Sequence, residues 1–301
     1  MKSIKLFPAL VGILGIILFS SKAVMVKLAY QYEVSSINLL VFRMLFSLPF
    51  YIAVLFFLKR TSQYKPTAKD NLWLVFFGVI GYYLASYFDF VGLQYIKASI
   101  ERVILFTYPT IVLLLSAIFL KRKITQRQVV AVVLTYIGVL IAFYEDFSID
   151  GNQALIGMGF IVLSAITYAS YLVGSDWLIP RYGVMRFTSY AMIVSCACVL
   201  IHYLMYENTS LLGYHPNVYW LGLAMAFFAT VIPSYLVSYS IGKITASNFS
   251  ILAGLGPIST IILASIFLDE HLTWLQLMAT GIVILGILII SIEKNKKPSE
   301  S

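Results

Sequence analysis

The sequence predicts an all-α polytopic membrane protein with ten transmembrane helices, arranged as two inverted five-helix repeats. Three observations predict this fold. The chain is 60% apolar with only 11% charged residues, whereas soluble domains average about 25% charged residues. A segment of it occurs twice at a constant shift of 148 positions. The loops between its apolar stretches also differ in charge from one side to the other.

The apolar stretches have the length of membrane-spanning helices, about 20 residues each. They are predicted to be helices because an open strand in lipid leaves its backbone groups without partners, and runs such as 282–290 lack the alternation of barrel strands. The first stretch follows Lys2 and Lys5 but has no cleavage site, so it is a span and not a signal peptide. We place the spans at 6–29, 37–58, 71–94, 98–120, 127–144, 154–174, 187–206, 218–239, 246–268 and 274–292.

The loop charges predict the orientation of these spans. With the N-terminus inside, the basic loops fall on the cytoplasmic side, and only Lys97 is an outside cation. Because Lys and Arg in short loops stay in the cytoplasm, this agreement predicts a cell (cytoplasmic) membrane protein with both termini cytoplasmic. Orientation also accounts for the net charge of +8, and no folded basic surface is left for a nucleic acid.

The repeat aligns without gaps over about fifty residues. Its matched positions run from Ile96 and Pro109 to Gly138 in the first copy and from Ile244 and Pro257 to Gly286 in the second. The turn after the fourth span reads Lys121-Arg122-Lys123, while its mate reads Asp269-Glu270-His271. An odd number of spans per half inverts the second half. We therefore expect repeats at 1–147 and 148–293, followed by a basic cytoplasmic tail at 294–301; inverted repeats are typical of secondary transporters.

Several motifs resemble one family. The stretch 19–30, which contains Lys27-Leu28, is similar to the first-helix motif of the drug/metabolite transporter superfamily, EamA type. Arg43, the prolines Pro109 and Pro257 and the acidic turn at 269–270 are similar to later motifs of that family. Lys22 departs from the pattern, since a small polar residue is common there. The resemblance implies a ten-helix transporter of small metabolites.

The first half contains six charged residues within or near its spans. A charge at the centre of a bilayer costs about 2.5–3.5 kcal/mol, so we expect these side chains to face each other or a wet cavity. The excess of positive charge favours a carboxylate-bearing substrate. The six residues are Lys22, Lys27, Arg43, Asp89, Glu101 and Arg102.

Other readings of these charges stay open. Arg43 with Asp89, or Lys22 with Glu101, would also serve as structural ion pairs, and Lys27 would also reach the interface by snorkelling. Glu101 would suit proton coupling if desolvation raised its pKa, which the neighbouring Arg102 opposes.

The second half is expected to supply neutral contacts. Tyr168, Tyr235 and Asn248 are the candidates for substrate contact or gating, with hydrogen bonding between helices as the alternative. Pro109 and Pro257 occupy matched positions and are predicted to kink their helices near the midplane, where repeat transporters bind substrate.

The inverted repeat predicts a secondary transporter, and the family resemblance implies that it exports a small polar metabolite, amino-acid-like or carboxylate-bearing, by alternating access. An integral membrane enzyme and a channel are the alternatives. Cys196 and Cys198 are too few and too closely spaced for a metal site, and no phosphate-binding loop is present. We therefore expect no metal, no cofactor and no enzyme activity. The expected partners are the lipid bilayer and the small-molecule substrate, and a homodimer stays open.

Overall fold

The computed structural model of the chain describes residues 6–58, 66–96, 98–142, 151–206, 210–267 and 273–291. The acidic turn at 269–270, the acidic loop at 145–150 and the basic tail lie outside these ranges. Regular structure in the described residues is helical. The helices are α1 (Leu6–Tyr30), α2 (Ser36–Phe57), α3 (Ala68–Gly78), α4 (Ala85–Tyr95), α5 (Ala98–Leu105), α6 (Tyr108–Phe119), α7 (Gln126–Ala142), α8 (Gly151–Tyr182), α9 (Val184–Tyr206), α10 (Pro216–Ala226), α11 (Ile232–Ile244), α12 (Ala246–Leu252), α13 (Leu255–Phe267) and α14 (Trp274–Ser291).

The helices have the composition of a polytopic membrane protein. By length and composition, seven helical stretches in the described residues are long and apolar enough to cross a bilayer: Leu6–Tyr30, Ser36–Phe57, Ala68–Tyr95, Gln153–Tyr182, Val184–Tyr206, Pro216–Ile244 and Ala246–Phe267. Three further apolar helices are shorter, at Val103–Phe119, Gln126–Ile141 and Leu277–Ile289. Each of the ten predicted spans therefore lies on an apolar helical stretch, and seven of them reach full spanning length.

The polarity of the bundle is reversed relative to that of a soluble protein. Large apolar side chains such as Leu10, Leu14 and Ile17 of α1 are exposed on the surface. Charged side chains, including Arg43 and Asp89, are buried inside. This arrangement suits a lipid surround, because apolar side chains can face hydrocarbon while charges find partners within the protein.

Four helix starts of the first half recur at the shift of 148 positions in the second half. The bounds pair the starts of α2 with α9, α3 with α10, α5 with α12, and α7 with α14 at this shift. Two π-helical turns, Val79–Leu84 between α3 and α4 and Phe227–Val231 between α10 and α11, also begin 148 residues apart. π-helical turns are rare, so their coincidence is informative. In the sequence, the early spans of the two halves can be matched only by their order along the chain. In the structure, the helix starts match the second and third spans to their counterparts by residue number as well.

The packing of helices is also related between the two halves. α1 packs against α11 and α13, and its counterpart α8 packs against α4 and α6. α2 packs against α9 and α10, while α9 packs against α2 and α3. α7 and α14 pack against each other. Each contact therefore has its counterpart when the halves are exchanged.

Two glycines allow the close crossing of α7 and α14. A Cβ atom on Gly138 would lie 2.9 Å from the Ala279 carbonyl oxygen, and one on Gly286 would lie 3.0 Å from the Ala131 carbonyl oxygen. Ala131 and Ala279 are fully buried at this crossing. Small residues let helix backbones approach closely in membranes. The crossing is thus built from matched small residues of both repeats.

α8 extends further than the sequence predicts. The predicted span ends at 174, but the helix continues through Ser175 and Asp176 to Tyr182. It ends at Gly183, whose φ of 77° places it in the left-handed region and whose N–H donates to the Ile179 carbonyl oxygen over 2.8 Å. Glycine adopts this helix-ending conformation without steric cost. α8 therefore carries a buried carboxylate, Asp176, beyond the end of the predicted span.

Candidate functional site

A cavity lies in the interior between the two halves. Its volume is about 60 Å³. Its walls come from α1, α4, α8, α11 and α12, from one π-helical turn, and from the breaks between α5 and α6 and between α12 and α13. The cavity is therefore lined by elements of both repeats.

The two breaks bring interrupted helices to the cavity. α5 ends at Leu105 and α6 begins at Tyr108, and both residues line the cavity. α12 ends at Leu252 and α13 begins at Leu255, and Pro257 lines the cavity. The N-terminal ends of α6 and α13, which carry partial positive charge, consequently lie beside it.

Both prolines lie beside interruptions of their spans. Pro109 and Pro257 both lie in the first turn of a new helix. A proline fits there because the backbone N–H that it lacks has no partner within the helix. The bend expected at each proline thus takes the form of a helix interruption just before it.

The charged wall of the cavity is the Lys22 side chain. Its ammonium donates to Asp89 Oδ2 over 2.5 Å, and the side chains of Lys22 and Asp89 are only 5% and 1% exposed. The ammonium also lies 5.4 Å from the centroid of the Phe19 ring, which lines the cavity beside it. Lys22 lines the cavity, and Asp89 lies behind it on α4. The structure thus pairs Lys22 with Asp89, a combination that the sequence does not single out.

Arg43 lies behind the cavity wall and forms a hydrogen bond with one of its residues, Ser86. Its Nε donates to Thr230 Oγ1 over 2.8 Å, and its Nη2 donates over 3.3 Å to Oγ of Ser86, which lines the cavity. The guanidinium lies 5.5 Å from the Phe90 ring centroid and is fully buried. The suggested ion pair of Arg43 with Asp89 is therefore replaced by hydrogen bonds to two hydroxyl groups. One of these belongs to the π-helical turn of the second half.

The other predicted charges lie in α1 and α5. Lys27 donates to the Leu93 and Ile96 carbonyl oxygens, both over 2.8 Å, so its ammonium caps the end of α4 instead of snorkelling. Such capping stabilises the last carbonyls of a helix. Glu101 is fully buried on α5, one turn before Leu105. The Arg102 backbone lies in α5, and its side chain lies outside the described part of the structure.

Aromatic rings form much of the remaining wall. Tyr168 stacks on Phe19 with ring centroids 6.0 Å apart and meets Tyr108 edge-on at 5.4 Å. All three rings line the cavity, together with Tyr82. Tyr168, a predicted neutral contact, thus lies in the cavity wall.

The two other neutral candidates lie away from the cavity wall. The Tyr235 hydroxyl pairs with Ser189 Oγ at 2.7 Å, and Asn248 Oδ1 accepts from Gln128 Nε2 over 3.1 Å. These contacts join α11 to α9 and α12 to α7. Both residues thus follow the alternative of hydrogen bonding between helices.

A polar cluster that the sequence analysis does not predict lies at the end of the bundle where α8 terminates. The carboxylate of Asp176, near the end of α8, forms an ion pair with Arg122 and accepts from the Ala246 backbone N–H over 2.8 Å. A second ion pair joins Arg181 of α8 to Asp70 of α3. We call Arg122, Asp176, Arg181 and Asp70 the α8 latch.

Neighbouring contacts reinforce the latch. The Arg181 guanidinium lies 4.4 Å from the Trp177 ring centroid, and the Tyr182 hydroxyl donates to Asn71 Oδ1 over 2.5 Å. Within the described residues, no group of three or more His, Cys, Asp or Glu side chains could hold a metal ion. The charged groups of the α8 latch therefore form ion pairs with one another and a hydrogen bond with the backbone.

Comparisons with known proteins agree with this architecture. The model of the EamA-like transporter family matches twice, at residues 6–144 and 155–292. The uncharacterized transporter YcbK of Bacillus subtilis is 30% identical over 275 residues, which cover 89% of this chain and 88% of that protein. An uncharacterized transporter of Archaeoglobus fulgidus is 25% identical over 238 residues, 79% of this chain and 82% of that protein. A crystal structure that is 14% identical in sequence covers 95% of this chain and 98% of its own, with a TM-score of 0.78, and so shares the fold.

Proposed function

Because the chain belongs to the EamA-like transporter family, and is thus a membrane transporter, we propose that it exports a small carboxylate-bearing or amino-acid-like metabolite by alternating access. The observation that carries the proposal is the cavity. Its charged wall is Lys22, and it lies where two helices of matched position are interrupted. Binding between interrupted helices at a repeat interface is the general arrangement of secondary transporters.

The proposed topology has ten crossings in two inverted halves. The seven full-length stretches and the three shorter apolar helices together make ten. The family model matches each half once, which supports boundaries at 1–147 and 148–293. Five crossings per half insert the second half upside down, with both termini in the cytoplasm and the 294–301 tail at the inner surface.

The charges favour an acidic group on the substrate. Lys22 presents an ammonium to the cavity, and Arg43 lies behind Ser86. The N-terminal ends of α6 and α13 add partial positive charge. Asp89, which balances part of this charge, lies behind Lys22 and not at the cavity surface. A carboxylate would therefore meet positive potential in a site of low dielectric, where its attraction is strong.

Alternating access requires a bundle that closes one end at a time. In the proposed topology α8 ends at the cytoplasmic surface, so the α8 latch seals the inner end. The latch joins α8 to α3, to the turn after α6 and to the start of α12. These contacts must break when the transporter opens to the cytoplasm. Net transport would run on substrate gradients or exchange.

Metabolite profiling of spent medium tests the proposal. Cells would express the wild type, Lys22→Ala, or the control Lys123→Ala, which removes a lysine that is exposed on a turn. We expect a carboxylate-bearing or zwitterionic compound to be enriched by the wild type and the control, and not by Lys22→Ala. Equal media from all strains, including one without the protein, would contradict export.

Flux measurements with the enriched compound separate the transporter from the alternatives. In proteoliposomes a carrier gives saturable flux that counter-substrate accelerates. Non-saturating flux would indicate a channel, and conversion of the compound into a product would indicate an enzyme.

A further inference from the structure

We propose that Asp89 is an internal substitute for the substrate carboxylate. It holds the Lys22 ammonium while the cavity is empty and releases it when a substrate carboxylate arrives. On this reading Asp89 sets the specificity of the site and allows the empty transporter to reorient. The inference rests on the proposed function and assigns Asp89 a role within it.

The geometry places the ammonium between two positions for a carboxylate. Asp89 Oδ2 lies 2.5 Å from Lys22 Nζ on the side of α4. The cavity lies on another side, because Lys22 lines it. A carboxylate in the cavity would offer the same kind of acceptor that Asp89 offers now. One charged hydrogen bond would then replace another, and the ammonium would stay paired throughout.

Arg43 can receive Asp89 after the exchange. The Arg43 guanidinium uses Nε and Nη2 on Thr230 and Ser86, and within the described part of the chain its Nη1 has no hydrogen-bond partner. The charge of Asp89 acts favourably on the Arg43 guanidinium. A buried donor without a partner is uncommon and calls for an explanation. Its availability to Asp89 in the loaded state supplies one.

The ion pair of Lys22 with Asp89 affects how easily the empty transporter reorients. An empty transporter that lacked Asp89 would have to reorient with an unpaired ammonium in its interior, which is strongly unfavourable. A loaded transporter would not, because the substrate would pair with Lys22. Loss of the Asp89 charge should therefore spare exchange, in which both reorientations are loaded, and block net flux.

The first experiment compares the two transport modes. Proteoliposomes would be loaded with radiolabelled lactate, alanine or succinate, and efflux measured into plain buffer and into buffer with the same unlabelled compound. For a probe that the wild type moves in both modes, Asp89→Asn should retain exchange, show a lower half-saturation constant, and lose net efflux by about tenfold or more. The double variant Lys22→Gln/Asp89→Asn should lose both exchange and net efflux, because it lacks the ammonium that the substrate carboxylate pairs with.

A second experiment does not depend on transport. The unfolding temperature of the purified protein in detergent would be followed as acetate replaces a larger, excluded anion. Asp89→Asn should unfold several degrees below the wild type, and acetate should raise its unfolding temperature by filling the place of the missing carboxylate. The wild type should respond less than Asp89→Asn, because Asp89 competes with acetate for the ammonium, and the double variant, which lacks the ammonium, should not respond.

The outcomes separate the inference from the proposed function. Equal loss of exchange and net efflux in a folded Asp89→Asn protein, or no response of that variant to acetate, would overturn the inference and leave carboxylate transport intact. If the wild type moves none of the probes, the proposed substrate class fails, while the acetate shift still decides the role of Asp89. Should Asp89→Asn not fold, Asp89→Glu tests the same competition. Its longer side chain should raise the half-saturation constant several-fold, and an unchanged constant would overturn the inference.

Discussion

The Asp176 carboxylate and the Ala246 backbone N–H are joined by a hydrogen bond of 2.8 Å between residues seventy positions apart. The residue before Ala246, Thr245, has a φ of 76°, in a region that β-branched residues seldom adopt. Arg122 forms an ion pair with the same carboxylate. One side chain of α8 thus stabilises a strained turn between α11 and α12 and couples it to the turn after α6.

Removal of this carboxylate should open the end of the bundle at which α8 terminates. In Asp176→Ala the Ala246 N–H and Arg122 lose their acceptor, which costs about 1–3 kcal/mol of the closed state. We expect labelling of a cysteine introduced at Ser164, on the cavity wall, to accelerate about tenfold. The measurement is the rate of reaction with an impermeant maleimide in inside-out vesicles, with Cys196 and Cys198 replaced by alanine.

The control for this prediction is Lys243→Ala, which removes an exposed charge close to the same turn. Its labelling rate should match that of the parent protein. If Asp176→Ala also labels at the parental rate, the latch does not hold the closed state.

Much of the fold follows from the sequence because hydrophobic length and loop charge act locally. The ten apolar stretches, the repeat and the membrane class are visible in residue order alone. The end of α8 is not, because Asp176 looks like a loop residue until Arg122 and Ala246 are known to satisfy its charge. A polar residue that finds partners inside the bundle, as Asp176 does, can therefore lie within a helix.

The site is only partly visible in the sequence for a similar reason. Burial cost indicates that Lys22, Arg43 and Asp89 need partners, but the choice of partner depends on helix rotation and crossing. Tyr168 lines the cavity and Tyr235 does not, although both are tyrosines within apolar helices. Ser86 and Thr230, which accept hydrogen bonds from Arg43, give no signal because single hydroxyl residues are frequent in such helices.

The crossing of α7 and α14 should be intolerant of even one added methyl group. In Gly286→Ala the new Cβ would lie about 3 Å from a backbone carbonyl oxygen, which cannot rotate away. We expect a loss of about 1–3 kcal/mol in unfolding free energy, measured by thermal or denaturant unfolding in detergent. Gly138→Ala should behave in the same way, since its surroundings are the matched ones.

Gly281 provides the matched control on the same helix. No atom lies within 4 Å of a Cβ placed there, so Gly281→Ala should be neutral or stabilise the protein by up to about 1 kcal/mol through helix propensity. Equal effects of the two α14 substitutions would show that the close crossing does not contribute to stability.

The Tyr168 ring should contribute to substrate affinity through its contacts with Phe19 and Tyr108. Tyr168→Ala removes one wall of the cavity and the ring contacts with Phe19 and Tyr108. Aromatic pairs are worth about 0.5–1.5 kcal/mol each, so we expect the loss of these two to raise the half-saturation constant for the identified substrate about 5- to 150-fold. Tyr168→Phe, which retains the ring, should change it little, and Tyr190→Ala on the exposed face of α9 serves as the control. An equal effect of the Phe and Ala variants would assign the role to the hydroxyl instead of the ring.

Arg43 should resist replacement even by lysine. Its guanidinium donates to Thr230 and Ser86 from two different nitrogens. Ser86 belongs to the first half of the chain and Thr230 to the second. A lysine ammonium is a compact point charge on a flexible stem and lacks the planar fork that serves both acceptors at once. Arg43→Lys should therefore lower the unfolding free energy by about 1–3 kcal/mol, with a loss of transport that exceeds the loss of folded protein. The measurement pairs unfolding in detergent with initial transport rates per folded protein. Arg43→Lys with unchanged stability and rate would mean that positive charge alone is required at this position, and that the connection between the halves through Thr230 has no function.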